Sequence, residues 1–469
     1  MSRLPPAGRR ALLIVLALAA LAGLLAYGRR RVEAMGGFPD RAAARGKPPS
    51  SNDFNVYWGA AAALDAPDVM TRAYTDDDRR YIYPPFLAAA LRPLLPLGPT
   101  GGAIAWFTLA VLSSAAGTAL AVRVALEAWA GRRASRPLAP DDRRLVVAAL
   151  AVGLGFAGRF VGDDLGNGNA NGLVLLGCAA GTLAFVRGRD VAGAAGFAFA
   201  AALKVTPALA LLWMLATRRV RAAAAFVVVT AALVVGVPAA WVGPARAVEL
   251  NLEFLAQTRS REEASRETRP VNGSSLRAAV HRVTTDTAVA EGPGAQPLRV
   301  ATLSGAEADR VFLALAGACA LALGVHFARG AAASRAPRRA ALDLALVGIA
   351  AALLSPLTRK AHLVAAILPA AVLGAGAFGR PASAGRGARG PRVCAALAVA
   401  LAWAADASLV GRTLGRLAWG LNVLCAATVL VAVGLWGQSR DPTAREARPP
   451  SGPALAGGGD PPGVSGGPT

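Results

Sequence analysis

The chain has 469 residues, of which 55% are hydrophobic and 17% charged, and its formal net charge is +22. A soluble protein of that length divides into several domains and carries more charge, so the composition argues for a membrane protein instead. The charge does not point to nucleic acid: the arginines fall in short connectors between apolar runs, where the positive-inside rule expects them, and no basic face interleaved with aromatics accompanies them. The 4 cysteines (Cys178, Cys319, Cys394 and Cys425) lie in or beside apolar runs, match no zinc or redox spacing, and read as small buried hydrophobes.

In chain order, Arg3, Arg9 and Arg10 precede an apolar run from Ala11 to about Tyr27. No convincing small-residue cleavage site follows it, so residues 1–28 are expected to remain as a membrane anchor helix. Further apolar runs occupy about 101–126, 145–161, 171–187, 220–242, 309–328, 341–357, 361–378, 393–410 and 414–437. Most are close to the roughly 17–25 residues that cross a bilayer as a helix.

Between Arg187/Arg189 and Arg218/Arg219/Arg221 an apolar stretch is interrupted by Lys204-Val205-Thr206-Pro207. As one helix it would put one arginine cluster outside, together with the basic connectors 329–340 and 379–392, against the short-loop charge rule. As two short helices turning at Lys204–Pro207 it returns both clusters to one side, and Pro207 breaks the helical ladder at the turn. The resulting expectation is an all-α integral membrane bundle of about twelve membrane helices, multi-pass in the plasma (inner) membrane, with both termini cytoplasmic. Exterior loops cover 29–100 and 243–308, membrane helices cover 101–242 and 309–437, and the Pro-, Gly- and Ser-rich tail 438–469 is expected to be disordered.

The first exterior loop contains Asn52-Asp53-Phe54-Asn55-Val56-Tyr57-Trp58 and, later, Tyr81-Ile82-Tyr83-Pro84-Pro85-Phe86. Asp53 sits among apolar and aromatic neighbours, so it reads either as a partly desolvated general base or as the cap of a helix starting near Phe54. Asp76 to Arg80 reads as a solvated charge run, and Tyr81, Tyr83 and Phe86 as an interfacial aromatic belt or the floor of a sugar or lipid site. Asp163-Asp164-Leu165-Gly166-Asn167-Gly168-Asn169-Ala170-Asn171 suits turn and capping chemistry better than a metal site. Lys204, a cation at a helix break in the membrane zone, needs a lipid phosphate, a carboxylate or a route to the surface. Arg359, Lys360 and His362 form a cation cluster suited to a phosphate leaving group, whereas His281 and His326 have no obvious supporting residues.

Taken in order, these landmarks resemble glycosyltransferase family 87, membrane enzymes of the GT-C class that use polyprenyl-phosphate sugars. The similar segments are Asp53-Phe54-x-x-Tyr57, Tyr83-Pro84-Pro85-Phe86, Gly168-Asn169-Ala170-Asn171, Lys204-x-Thr206-Pro207, Asn272-Gly273-Ser274-Ser275-Leu276-Arg277, and Ser355-Pro356 followed by His362-Leu363-Val364. Asn169, Gly273-Ser274 and Arg359-Lys360-Ala361 depart from the family pattern. The resemblance implies a GT-C-like bundle and inverting transfer of a mannose-like hexose or a pentofuranose, on the exterior face, to a glycan or glycolipid acceptor in the cell envelope. It implies Asp53 as general base, Lys204, Arg359 and His362 at the lipid-phosphate end, and Tyr57, Tyr83, Asn169 and Asn272 as further substrate contacts. No certain cofactor and no metal ligand is expected beyond the lipid-linked donor. A transporter or flippase of lipid-linked sugars, suggested by the break at Lys204, and an assembly factor without catalysis are the alternatives. No internal repeat is evident, which counts against a transporter built from duplicated halves.

Overall fold

The computed structural model describes residues 23, 26–30, 32–33, 52–75, 78–131, 139–267, 273–286, 300–379 and 389–440. Among these residues the fold is all-helical, and the extended pairing is confined to an isolated bridge between Ala73 and Arg80. The first half comprises α1 (Asp53–Ala62), α2 (Pro85–Leu91), α3 (Gly98–Ala130), α4 (Pro140–Asn167), α5 (Asn171–Val186), α6 (Asp190–Leu203), α7 (Ala210–Ala216), α8 (Val220–Ala231) and α9 (Val237–Val242). The second half comprises α10 (Pro244–Glu267), α11 (Leu276–Thr284), α12 (Gly305–Arg329), α13 (Pro337–Leu354), α14 (Ile367–Phe378), α15 (Arg389–Ala404), α16 (Ala407–Val410), α17 (Arg412–Gly420) and α18 (Val423–Ser439).

Five helical segments are long and apolar enough to cross a bilayer, namely Pro85–Ala130, Pro140–Asn167, Val220–Val242, Gly305–Arg329 and Lys360–Phe378; the bent pair α17–α18 makes a sixth. This is a multi-pass membrane protein. The expected twelve are not reached among the described residues, and the reason is length. Helices α5 and α6 have 16 and 14 residues. At a rise of about 1.5 Å per residue they reach roughly 21–24 Å, short of a hydrocarbon core about 30 Å thick. The expected anchor over 1–28 and the tail after residue 440 lie almost wholly outside the described residues.

Helix α14 is the centre of the bundle, buried along nearly its whole length and packed against α4, α3, α13 and α15. On the outside, α8 and α12 present Val227, Val228, Leu313, Leu315 and Leu321. Such apolar exposure is stable in lipid, where helices satisfy their backbone hydrogen bonds internally. Small residues govern the inner contacts. Gly177 and Gly181 of α5 lie against Gly193 and Gly196 of α6, so closely that a Cβ on Gly196 would stand 2.7 Å from the Gly181 nitrogen. That proximity lets two helices dock by backbone packing where no hydrophobic force separates protein from lipid.

The two short helices α6 and α7 are joined by an extended Lys204 and a 3-10 turn, Thr206–Leu209, that contains Pro207. Their outer ends return to one place, because Arg219 after α7 pairs with Asp190 at the start of α6 and donates to the Ser334 carbonyl at 2.8 Å. The same end of the bundle holds Arg187 on Glu127 at 2.7 Å and Arg339 on the Ser439 carbonyl at 2.8 Å. His326 belongs there too. Contrary to the sequence expectation it is well supported, stacked on Trp436 at 4.3 Å and bonded to Arg339 at 2.8 Å. Lys204 marks the opposite end.

The close α5–α6 approach generates a test. Gly196→Val should overpack the interface and cost about 1–3 kcal/mol, read as a lower thermal midpoint in detergent, whereas Gly236→Val, at a position with open space around it, should change the midpoint far less.

Candidate active site

Helix α1 places the carboxylate. Asn52 is in extended conformation and its side chain accepts the Asn55 N–H at 2.8 Å, so Asn52 is the cap and the capping role considered for Asp53 falls away. Asp53 occupies the first helical position, where the partial positive charge of the helix N-terminus favours an anion. Its carboxylate is 22% exposed and meets Arg79 Nη1 at 3.4 Å. Burial raises its pKa above the ordinary carboxylate value, and the positive charges of Lys204, Arg79 and Arg359 work against that rise.

The second wall is the turn between α4 and α5. Gly168 ends α4 with a φ of 65°, a left-handed conformation that costs glycine little, and its N–H and that of Asn169 fold back onto Leu165 and Asp164 carbonyls. Trp106 of α3 fixes the turn by donating to the Gly168 carbonyl at 2.8 Å. Asn169 then presents its amide oxygen to two phenols, Tyr57 at 3.4 Å and Tyr83 at 3.3 Å, whose rings meet edge to face with centroids 4.9 Å apart. Burial pushes both phenols far above their ordinary pKa, so both remain donors.

Asn171 starts α5 and joins opposite charges. Its amide oxygen accepts from Lys204 Nζ at 2.6 Å, while its amide nitrogen donates to Asp164 at 2.6 Å. Asp164 is fully buried and also accepts the Gly172 N–H at 3.2 Å. Lys204 lies 5.6 Å above the Tyr83 ring, a cation–π arrangement that holds the ammonium toward the site.

The third wall is the turn after α13. A 3-10 helix, Lys360–Ala366, follows it, and the Arg359 N–H donates to His362 Nδ1 at 3.3 Å. An imidazole that accepts at Nδ1 carries its proton on Nε2, ready to donate. Arg359 is exposed, and Lys360 is held by Asp163 at 3.1 Å and lies 5.1 Å from the Trp419 ring centroid. His362 is within electrostatic reach of Lys204 and Arg359.

Asp53, Tyr57, Tyr83, Asn169 and Lys204 therefore share one cluster, with Arg359 and His362 on its flank. Asn272 lies outside the described residues. Three members were not singled out from sequence. Arg79 was read as part of a solvated run, and nothing in its spacing announces a partner 26 residues away. Asp164 and Asn171 read from spacing as turn chemistry, with Asn171 also closing the family-like Gly168–Asn171 segment, and the pairing of a buried acid with an amide seven residues on carries the lysine. His281, expected to lack support, is bonded to Asp309 at 2.8 Å beside Arg277. Tyr81 is structural, donating to the Pro84 carbonyl and accepting the Ala88 N–H.

What these residues offer is one half-buried carboxylate facing several cations and neutral donors. That suits deprotonation of a hydroxyl beside an anionic leaving group. Among the described residues no group of three or more His, Cys, Asp or Glu is gathered in metal-binding geometry.

No curated protein matches the chain. Among solved structures, ArnT from Cupriavidus metallidurans bound to undecaprenyl phosphate aligns over 92% of this chain and 78% of its own, at 14% identity and a TM-score of 0.34, too low to carry an argument. The model of glycosyltransferase family 87 matches residues 81–356, which include Tyr83, Asp164, Asn169, Asn171 and Lys204 and leave Asp53, Arg79, Arg359 and His362 on either side. That match spans more than half of the sequence, and the chain is a member of glycosyltransferase family 87.

Proposed function

We propose that this glycosyltransferase moves a mannose-like hexose or a pentofuranose from a polyprenyl phosphate to a hydroxyl of a glycan or glycolipid, with inversion at the anomeric carbon. The observation that carries the reading is Asp53, a half-buried carboxylate within electrostatic reach of Lys204, Arg79 and Arg359. Asp53 takes the acceptor hydroxyl proton as that oxygen bonds to the anomeric carbon. The bond from that carbon to the phosphate oxygen breaks, and the electron pair leaves with the lipid phosphate. Lys204, Arg359 and the Nε2–H of His362 receive the charge that develops there. Tyr57 and Tyr83 lie within electrostatic reach of Asp53 and share Asn169, and placement of the reacting atoms beside them supplies much of the rate.

Arg79 has a share in this scheme. It pairs with Asp53, and its charge works against the rise that burial imposes on the carboxylate. The site end of the bundle, which is opposite the arginine connectors, is then the exterior face, with both termini on the cytoplasmic side.

Asp53→Asn should lower kcat by about 10²–10⁴-fold, the usual contribution of a general base, with binding of undecaprenyl phosphate retained. Full activity in that variant, or sugar-lipid flux across proteoliposomes with no glycosidic bond formed, would overturn the reading. The pH profile tests Arg79. Asp53 is active only when ionised and its pKa is raised, so the rate should fall as pH drops through a value above the ordinary 3.8. Arg79→Ala removes a charge that favours the carboxylate, so the acid limb should move to higher pH. An unmoved limb would assign Arg79 to the surface alone.

A further inference from the structure

The second large loop carries a buried charge cluster that the scheme above leaves unused. Arg277 of α11 grips Asp309 of α12 with both ends of its guanidinium, Nε to Oδ1 at 2.7 Å and Nη2 to Oδ2 at 3.1 Å. His281, one turn further along α11, reaches the same Oδ1 at 2.8 Å. All three residues are buried, and Val280, Ala308 and Phe312 form an apolar patch beside them. Joining two helices does not require buried ions, since apolar residues of similar volume often do so at lower cost. A two-pronged arginine–carboxylate pair adds a fixed relative orientation.

What that orientation holds is the turn that precedes Arg359. Immediately before α11, the Ser274 N–H donates to the Thr358 carbonyl at 2.7 Å. Ser275 caps α11 by accepting the Ala278 N–H, and its hydroxyl donates to the Pro356 carbonyl at 3.3 Å. Asn422 donates to the Ser275 carbonyl at 3.1 Å, and Arg282 to the Trp419 carbonyl at 2.7 Å. Trp419 lies beside Lys360, which Asp163 pins from the other side. Residues 356–360 are therefore held on both flanks, and the next contact along the chain is the Arg359 N–H on His362 Nδ1.

We propose that Arg277, Asp309 and His281 are positioning residues: their cluster fixes α11 against α12, and the serine pair at the start of α11 fixes the turn that presents Arg359 and His362 to the leaving phosphate. The proposal rests on the glycosyltransferase reading for the role of that phosphate, but the mechanical link stands apart from it and can be measured apart. It also gives the Ser274–Arg277 part of the second-loop motif a task in which these residues need not touch substrate.

The experiment uses the full chain in nanodiscs, with Arg277→Met, Arg277→Lys and, as a mild variant that leaves the ion cluster intact, Ser275→Ala. Amide hydrogen exchange is followed at Ser274 and His362, and at Asn169–Gly172 as a control. In Arg277→Met, exchange at Ser274 and His362 should rise while the control stays slow. Affinity for undecaprenyl phosphate and the donor KM should weaken by about tenfold, equivalent to about 1.4 kcal/mol, with kcat changed much less. Arg277→Lys should fall between the two, and Ser275→Ala should reproduce the effect more weakly. Unchanged exchange at Ser274 and His362 overturns the clasp. Faster exchange there with unaltered lipid-phosphate affinity overturns its link to the site. If the wild-type protein binds no polyprenyl phosphate, the functional reading fails, while the exchange comparison still decides whether the clasp exists.

Discussion

An ammonium group at a break between two short helices, part-buried at one end of a membrane bundle, has to be answered by negative charge or dipoles, and Lys204 is answered twice over. Its proton meets the amide oxygen of Asn171, and the other side of the same amide meets the carboxylate of Asp164. One asparagine therefore transmits opposite charge from α4 to the α6–α7 turn across the start of α5. The arrangement fixes three helix ends at once. Without it the part-buried ammonium would lose its amide and carboxylate partners, which is costly for a cation in the membrane zone.

The rest of the site is built outward from that anchor. Lys204 sits over Tyr83, Tyr83 and Tyr57 share Asn169, and the Gly168 turn that offers Asn169 is locked by Trp106. Asp53 faces this cluster from the start of α1, its capping duty taken by Asn52. Asp53 is thus relieved of that capping hydrogen bond and placed where burial and three cations oppose each other. That balance suits a group that must hold a negative charge and yet accept a proton. The flank bearing Arg359 and His362 comes from a different part of the chain, and the described start of α11 in the second loop is bonded to the turn just before it.

Much of this was legible in the residues. Pro207 forces a break, and the arginine clusters on either side of α6–α7 require their outer ends to meet, as the Asp190–Arg219 pair now displays. Tyr83, Asn169 and Lys204 stand in three separate motifs, and in the fold Tyr83 meets the other two. Other features were not legible. Arg79 belongs to a run of charges that any solvated surface could carry, and its partnership with Asp53 depends on how the loop folds back. His281 looked isolated because its partner, Asp309, begins a different helix beyond the loop.

By itself the sequence determined the membrane character, the all-helical class, the break at Lys204 and the set of side chains from which a site could be made. These are consequences of composition, apolar run length and proline, which act locally and read directly from the chain. Only the tertiary structure decided which residue caps α1, which acid balances Lys204, and which clasp holds the turn before Arg359. The cap is a local contact whose choice between the neighbours Asn52 and Asp53 rests on backbone geometry, whereas the other two join segments far apart in sequence, where hydrogen-bond partners are set by packing that no local pattern encodes.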